Sequence, residues 1–141
     1  MSEININDPA TPESILKGKK IMWVEDDKFL NDIISRKLSG TGCELMHVGS
    51  GEEAFAKIEE AIPDIILLDI LLPGMDGYEI LKKLKENPKS ASVPVIILSN
   101  LGQKSDVERG KELGADKFLI KATVSLDEII SEIAEVLEAK K

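Results

Sequence analysis

The side chains of Glu25, Asp26, Asp69, Ser99 and Lys121 combine carboxylates, a hydroxyl and an ammonium, each at the end of an apolar run. Ile21-Met22-Trp23-Val24 leads into Glu25-Asp26, and Ile65-Ile66-Leu67-Leu68 into Asp69. Val95-Ile96-Ile97-Leu98 leads into Ser99, and Phe118-Leu119-Ile120 into Lys121. Carboxylates held close together repel one another and raise their pKa values unless a cation sits among them. An all-oxygen donor set without cysteine or histidine suits Mg²⁺, with Mn²⁺ as a substitute, and few protein ligands leave room for water and a phosphoryl oxygen. Lys121 adds an opposing charge and Ser99 a hydrogen-bond donor, so the set can neutralise a phosphoryl group carried on a carboxylate nucleophile. Taken singly, each of these groups reads as a solvated charge at a loop edge. Their coincidence at neighbouring strand ends is what argues for a site.

Apolar runs without polar alternation are the pattern of strands buried on both faces of a parallel sheet. Parallel strands end on the same edge, where open α/β sheets place their ligand crevice. Strand and helix patterns alternate five times after residue 17, which predicts an α/β fold, a doubly wound (βα)5 sheet with helices on both faces. A helix over 27–39 carries Phe29, Leu30, Ile33, Ile34 and Leu38 on one stripe, with Asp27 placed to cap it. The second strand, 44–48, is the least apolar and reads as an edge, with His47 as a surface or partner-satisfied residue. Helices follow over 51–61, burying Ala54, Phe55 and Ile58, and over 77–86, burying Ile80, Leu81 and Leu84 before Asn87-Pro88 ends the run. The segment 103–113 offers mainly Val107 and Leu113 and contains Gly110, so it is expected to be weakly held. The last helix opens on Ser125-Leu126-Asp127-Glu128, a capping-box pattern, and repeats Leu126, Ile129, Ile130, Ile133, Val136 and Leu137 at helical spacing. Trp23 reads as packed against a helix.

At 141 residues the chain has material for one domain. Residues 1–17 read as a tail or extension in which Ile4, Ile6, Ile15 and Leu16 dock locally, and 18–141 as the domain. A net charge of -8 argues against nucleic acid, whose binders concentrate Lys and Arg. The single Cys43 excludes an internal disulfide and reads as a small core residue. No stretch approaches the length of a membrane span or has the build of a signal peptide, so the expectation is a cytoplasmic protein without membrane attachment.

Three segments now belong together: Val24-Glu25-Asp26-Asp27, Asp69-Ile70-Leu71-Leu72-Pro73-Gly74-Met75-Asp76-Gly77, and Gly114-Ala115-Asp116-Lys117-Phe118-Leu119-Ile120-Lys121, with Ser99 between the last two. From Lys19 to Leu137 the chain resembles the receiver domains of two-component response regulators, of the stand-alone type. The resemblance implies a flavodoxin-like five-stranded sheet in the order 2-1-3-4-5. It also implies Asp69 as phosphoacceptor, and Mg²⁺ bound by Glu25, Asp26, Asp69 and the backbone carbonyl of Leu71. Ser99 and Lys121 would contact the phosphoryl group, and Ser99 with Phe118 would form a switch. The expected partners are a histidine kinase or phosphotransfer protein as donor and a downstream protein as target, with a homodimer on activation also allowed. The domain would catalyse only its own phosphorylation and dephosphorylation. No effector domain follows in this sequence, so output is expected through a protein partner, on the face made by the helix after strand four, strand five and the last helix.

Departures from the family pattern are Phe118 where a tyrosine is common, Asn100 where a smaller residue is common, and Ala122 where a proline usually follows the lysine. A cis bond before a non-proline residue costs about 2.5–4 kcal/mol, so a trans Lys121-Ala122 peptide is expected. One rival reading is an interaction module of the same fold that signals without phosphorylation. The other is a haloacid-dehalogenase-type phosphohydrolase, disfavoured because Leu71 stands where that family has its second acid.

Overall fold

The computed structural model describes residues 11–72 and 74–140. Pro73 and the N-terminal residues Ile4 and Ile6 therefore lie outside the described residues. Helix α1 (Pro12–Leu16) precedes β1 (Lys20–Val24), α2 (Lys28–Ser39), β2 (Glu44–Val48), α3 (Gly51–Glu60) and β3 (Ile65–Leu68). Then come α4 (Gly77–Glu86), β4 (Val95–Ser99), α5 (Lys104–Glu112), β5 (Lys117–Ile120) and α6 (Leu126–Ala139). The strands form one parallel sheet in the order β2-β1-β3-β4-β5, as expected, and β2 is an edge strand. Among the described residues no helix is long and apolar enough to cross a membrane.

Strand side chains alternate between two cores, which is why the runs carry no polar residues. Ile21, Trp23, Ile65, Leu67, Ile96 and Leu98 pack with Ile34 and Leu38 of α2 and with Ile129, Ile130, Ile133 and Leu137 of α6. Met22, Val24, Ile66, Leu68, Val95 and Ile97 pack on the other face with Ala54 and Ile58 of α3 and Tyr78, Ile80, Leu81 and Leu84 of α4. Burying each such side chain is worth about 1.5–3 kcal/mol. Trp23 lies wholly in the first core, and its indole N–H finds no hydrogen-bond partner among the described residues.

One expectation is corrected. Phe29 and Ile33 are not core residues: Phe29 is 77% exposed, and Ile33 is exposed beside it. Leu30, Ile34 and Leu38, four residues apart, make the line that faces the sheet, and Phe29 and Ile33 each sit one residue, about 100° of helix turn, off it. Within the extension Thr11 accepts a hydrogen bond from the Ser14 N–H, Pro12 opens α1, and Leu16 docks fully buried against the α6 side of the sheet. The Lys121-Ala122 peptide is trans, there being no cis bond among the described residues.

Candidate functional site

Backbone register aligns the polar ends. Val24 pairs with Leu68, Leu68 with Ile97, and Ser99 with Ile120, so the residues that follow leave the sheet at one edge. The ladder runs on past the strands: Asp69 N–H donates to the Val24 carbonyl at 3.1 Å and Lys121 N–H to the Ser99 carbonyl at 2.9 Å. Glu25 N–H donates to the Val48 carbonyl at 3.0 Å, and the His47 ring bonds through Nε2 to the Glu25 carbonyl at 2.7 Å. Because that acceptor has no proton to give, Nε2 is the protonated nitrogen. His47 is thus partner-satisfied, and what it holds is the backbone of the first acid.

In the crevice the Lys121 ammonium bridges two carboxylates, 2.5 Å from Glu25 Oε1 and 3.0 Å from Asp69 Oδ2. Glu25 and Asp69 are only 1% and 4% exposed, whereas Asp26 faces solvent. Carboxylate oxygens of Glu25, Asp26 and Asp69 all lie within 4.8 Å of one another, a spacing that fits one divalent cation. The second Glu25 oxygen accepts from the backbone N–H groups of Asp26 and Asp27, at 3.1 and 3.3 Å. Asp69 Oδ1 accepts from the Leu71 N–H at 3.3 Å. Burial pushes the Glu25 carboxyl up to about 7, with Asp69 adding to the rise and Lys121 opposing it. For Lys121 burial works against the charged form, and its bonds to Glu25 and Asp69 outweigh it, so its pKa is raised.

Ser99 is fully buried and its Oγ accepts from the Leu101 N–H at 3.3 Å. Asp27 stands apart from the cluster and caps α2, accepting the Leu30 N–H at 3.1 Å. Phe118 is half-buried against the α4 side of the core, next to Gly110 of α5. Glu25, Asp26, Asp69 and Lys121 therefore come together in side-chain contact, whereas the Ser99 hydroxyl is turned to Leu101 and the Phe118 ring packs in the core.

A sequence model of the response regulator receiver domain matches residues 21–134. The chain belongs to that family. As a receiver it is the phosphoacceptor type of module in two-component signalling. It is 32% identical over 122 residues to the phosphate regulon transcriptional regulatory protein PhoB of Rhizobium meliloti, covering 86% of this chain and 53% of that protein. The receiver thus spans about half, or less, of the length of the curated relatives it first matches. The receiver domain of the Francisella response regulator 1452 superposes with a TM-score of 0.80 at 30% identity, covering 88% of this chain and all of that one. The Mn²⁺-bound form of response regulator Rcp1 superposes with a TM-score of 0.71 at 28% identity, covering 86% and 92%.

Two features of the receiver's site escaped the sequence. Leu71, whose N–H bonds Asp69, has a side chain 59% exposed, which its place after an apolar run does not signal. Gly77 is pressed against the Asp69 segment: a Cβ there would stand 2.4 Å from the Asp69 carbonyl oxygen and 2.5 Å from Ile70 Cα, and its N–H donates to the Ile70 carbonyl at 2.7 Å. The Pro73-Gly74-Met75-Asp76-Gly77 segment reads in sequence as a turn into the next helix, but the closeness of the two backbones leaves no such signal.

Proposed function

We propose that this receiver takes a phosphoryl group from a phosphohistidine donor onto Asp69, with Glu25, Asp26, Asp69 and the Leu71 carbonyl holding Mg²⁺, or Mn²⁺ as a substitute. The observation that carries the reading is a nearly buried Asp69 held between a lysine ammonium and two further carboxylates. A bound divalent ion supplies positive charge to the phosphoryl oxygens and offsets repulsion between the acids. The Rcp1 relative, solved with Mn²⁺, supports that ligand class.

An Asp69 carboxylate oxygen forms the new P–O bond as the P–N bond to the donor breaks, and the departing imidazole nitrogen keeps the electron pair and takes up a proton. Lys121, tied to Glu25 and Asp69 at rest, is within reach of the phosphoryl oxygens, and the Ser99 hydroxyl turns from Leu101 to donate to one of them. That turn draws on the segment joining Ser99 to α5 and lets the Phe118 ring repack, which alters the face made by α5, β5 and α6. A histidine kinase or phosphotransfer protein is the donor class and a protein bound at that face the receiver of the signal. The domain speeds only its own phosphorylation and hydrolysis.

Intact mass measured with Mg²⁺ and acetyl phosphate should show one phosphoryl adduct, absent without the metal and absent in Asp69→Asn. Unchanged labelling of Asp69→Asn would assign the nucleophile elsewhere, and no labelling of the native chain would favour an interaction module that signals without phosphate. Asp26→Asn should weaken Mg²⁺ binding in calorimetric titration with the fold retained, since that side chain faces solvent.

A further inference from the structure

Tyr78, at the start of α4, is a buried side chain for which the crevice has no use. Its hydroxyl donates to the Asp106 carbonyl in the first turn of α5 at 2.9 Å, and the Arg109 guanidinium lies over its ring, 4.2 Å from the centroid. Burial pushes the phenol pKa up, so the donating proton stays in place at neutral pH. The residue before it is Gly77, whose backbone is wedged against Asp69 and Ile70. One continuous line of contact therefore runs from the Asp69 backbone through Gly77 and Tyr78 to α5.

The helix at the far end of that line has little else. Gly110 is the one α5 residue buried in the core, held close to Ile97 and the Phe118 ring, where an added Cβ would meet them at 2.7 and 3.0 Å. With so few apolar contacts, one hydroxyl–carbonyl bond and one stacked guanidinium make a large share of what fixes α5. Resting on the assignment of Asp69 as phosphoacceptor, we propose that Tyr78 is a positioning residue that latches α5 to the Asp69 segment, so that its bond to Asp106 sets how readily α5 moves and how readily Asp69 is phosphorylated. A shift of α5 that favours the phosphorylated state must, by linkage, be favoured by phosphorylation. Loosening the latch then raises the population ready to accept the group.

Tyr78→Phe keeps the ring, its packing and the Arg109 stack, and removes only the hydroxyl. Hydrogen exchange of residues 104–112 in the unphosphorylated variant should accelerate by about 2- to 10-fold, the range of one ordinary hydrogen bond, while α6 exchange stays as in the native chain. Labelling by acetyl phosphate and Mg²⁺ should also quicken by about 2- to 10-fold, whereas a residue with only a packing role would leave labelling the same or slow it. Arg109→Gln should act in the same direction, and the two changes together should give less than the product of their separate effects. Unchanged α5 exchange in Tyr78→Phe overturns the latch, and so does faster exchange with labelling unchanged or slowed. Failure of the native chain to label counts against Asp69 as acceptor instead, and the exchange of α5 alone then decides whether Tyr78 holds the helix.

Discussion

Helices α5 and α6 lie on opposite faces of the same two strands, β4 and β5, and are built to different ends. Helix α6 buries Ile129, Ile130, Ile133, Ala134, Val136 and Leu137, and its capping box is reciprocal, the Ser125 hydroxyl accepting from Glu128 N–H and the Glu128 carboxylate from Ser125 N–H. Helix α5 buries only Gly110, and at its start the Asp106 carboxylate accepts from the Gln103 N–H at 3.2 Å. Local start signals are thus present in both. What separates them is tertiary burial, which supplies most helix stability in folded proteins. A wall of the core and a movable surface element can share a strand pair provided only one of them is anchored by apolar side chains.

The contrast is open to attack where it is largest. Ile133→Ala should cost about 2–5 kcal/mol in urea-induced unfolding, because a fully buried branched side chain leaves a cavity under α6. A cost below about 1 kcal/mol would mean α6 is no more anchored than α5. Next comes Gly110→Ala, where helix propensity alone predicts a gain of about 1 kcal/mol. The close approach of Ile97 and Phe118 should reverse that sign and destabilise by about 1–3 kcal/mol; a stabilised variant would show that α5 already moves away from the sheet at rest. The smallest effect separates the two helix starts. Ser125→Ala should lose about 1 kcal/mol in thermal unfolding, whereas Gln103→Ala, at a residue whose side chain makes no cap hydrogen bond, should lose no more than a few tenths, and equal losses would show that Gln103 caps α5 through its side chain as Ser125 caps α6.

How much of this could be read from residue order alone varies with the range of the interaction. The buried strands, the edge position of β2 and the reciprocal cap at Ser125 depend on neighbours in sequence and on a period of two or 3.6, so they were legible. The weak hold on α5 was legible too, from its lack of apolar residues. Phe29 and Ile33 were not, because periodicity gives a stripe and not the angle at which the sheet meets it. Thr11-Pro12-Glu13 was a readable helix start that a polar composition masked. In the crevice the acids, Ser99 and Lys121 followed from strand ends that share an edge, but the bridging of Glu25 and Asp69 by one ammonium depends on side-chain reach. The Tyr78–Asp106 bond joins residues 28 positions apart on separate helices and left no trace in either segment.

The lone tryptophan offers a consequence of a practical kind. Trp23 is enclosed in the core shared by α2 and α6, with no partner for its indole N–H among the described residues, and lies two positions before Glu25. An indole screened from water and free of a hydrogen-bonding acceptor emits at short wavelength, so this chain carries an optical probe of one half of the molecule. Its emission should redden only when the α2 and α6 half opens, and stay blue through any excursion of α5 on the opposite side of the sheet. A single fluorescence trace can therefore separate the loss of the fold from the proposed movement of α5.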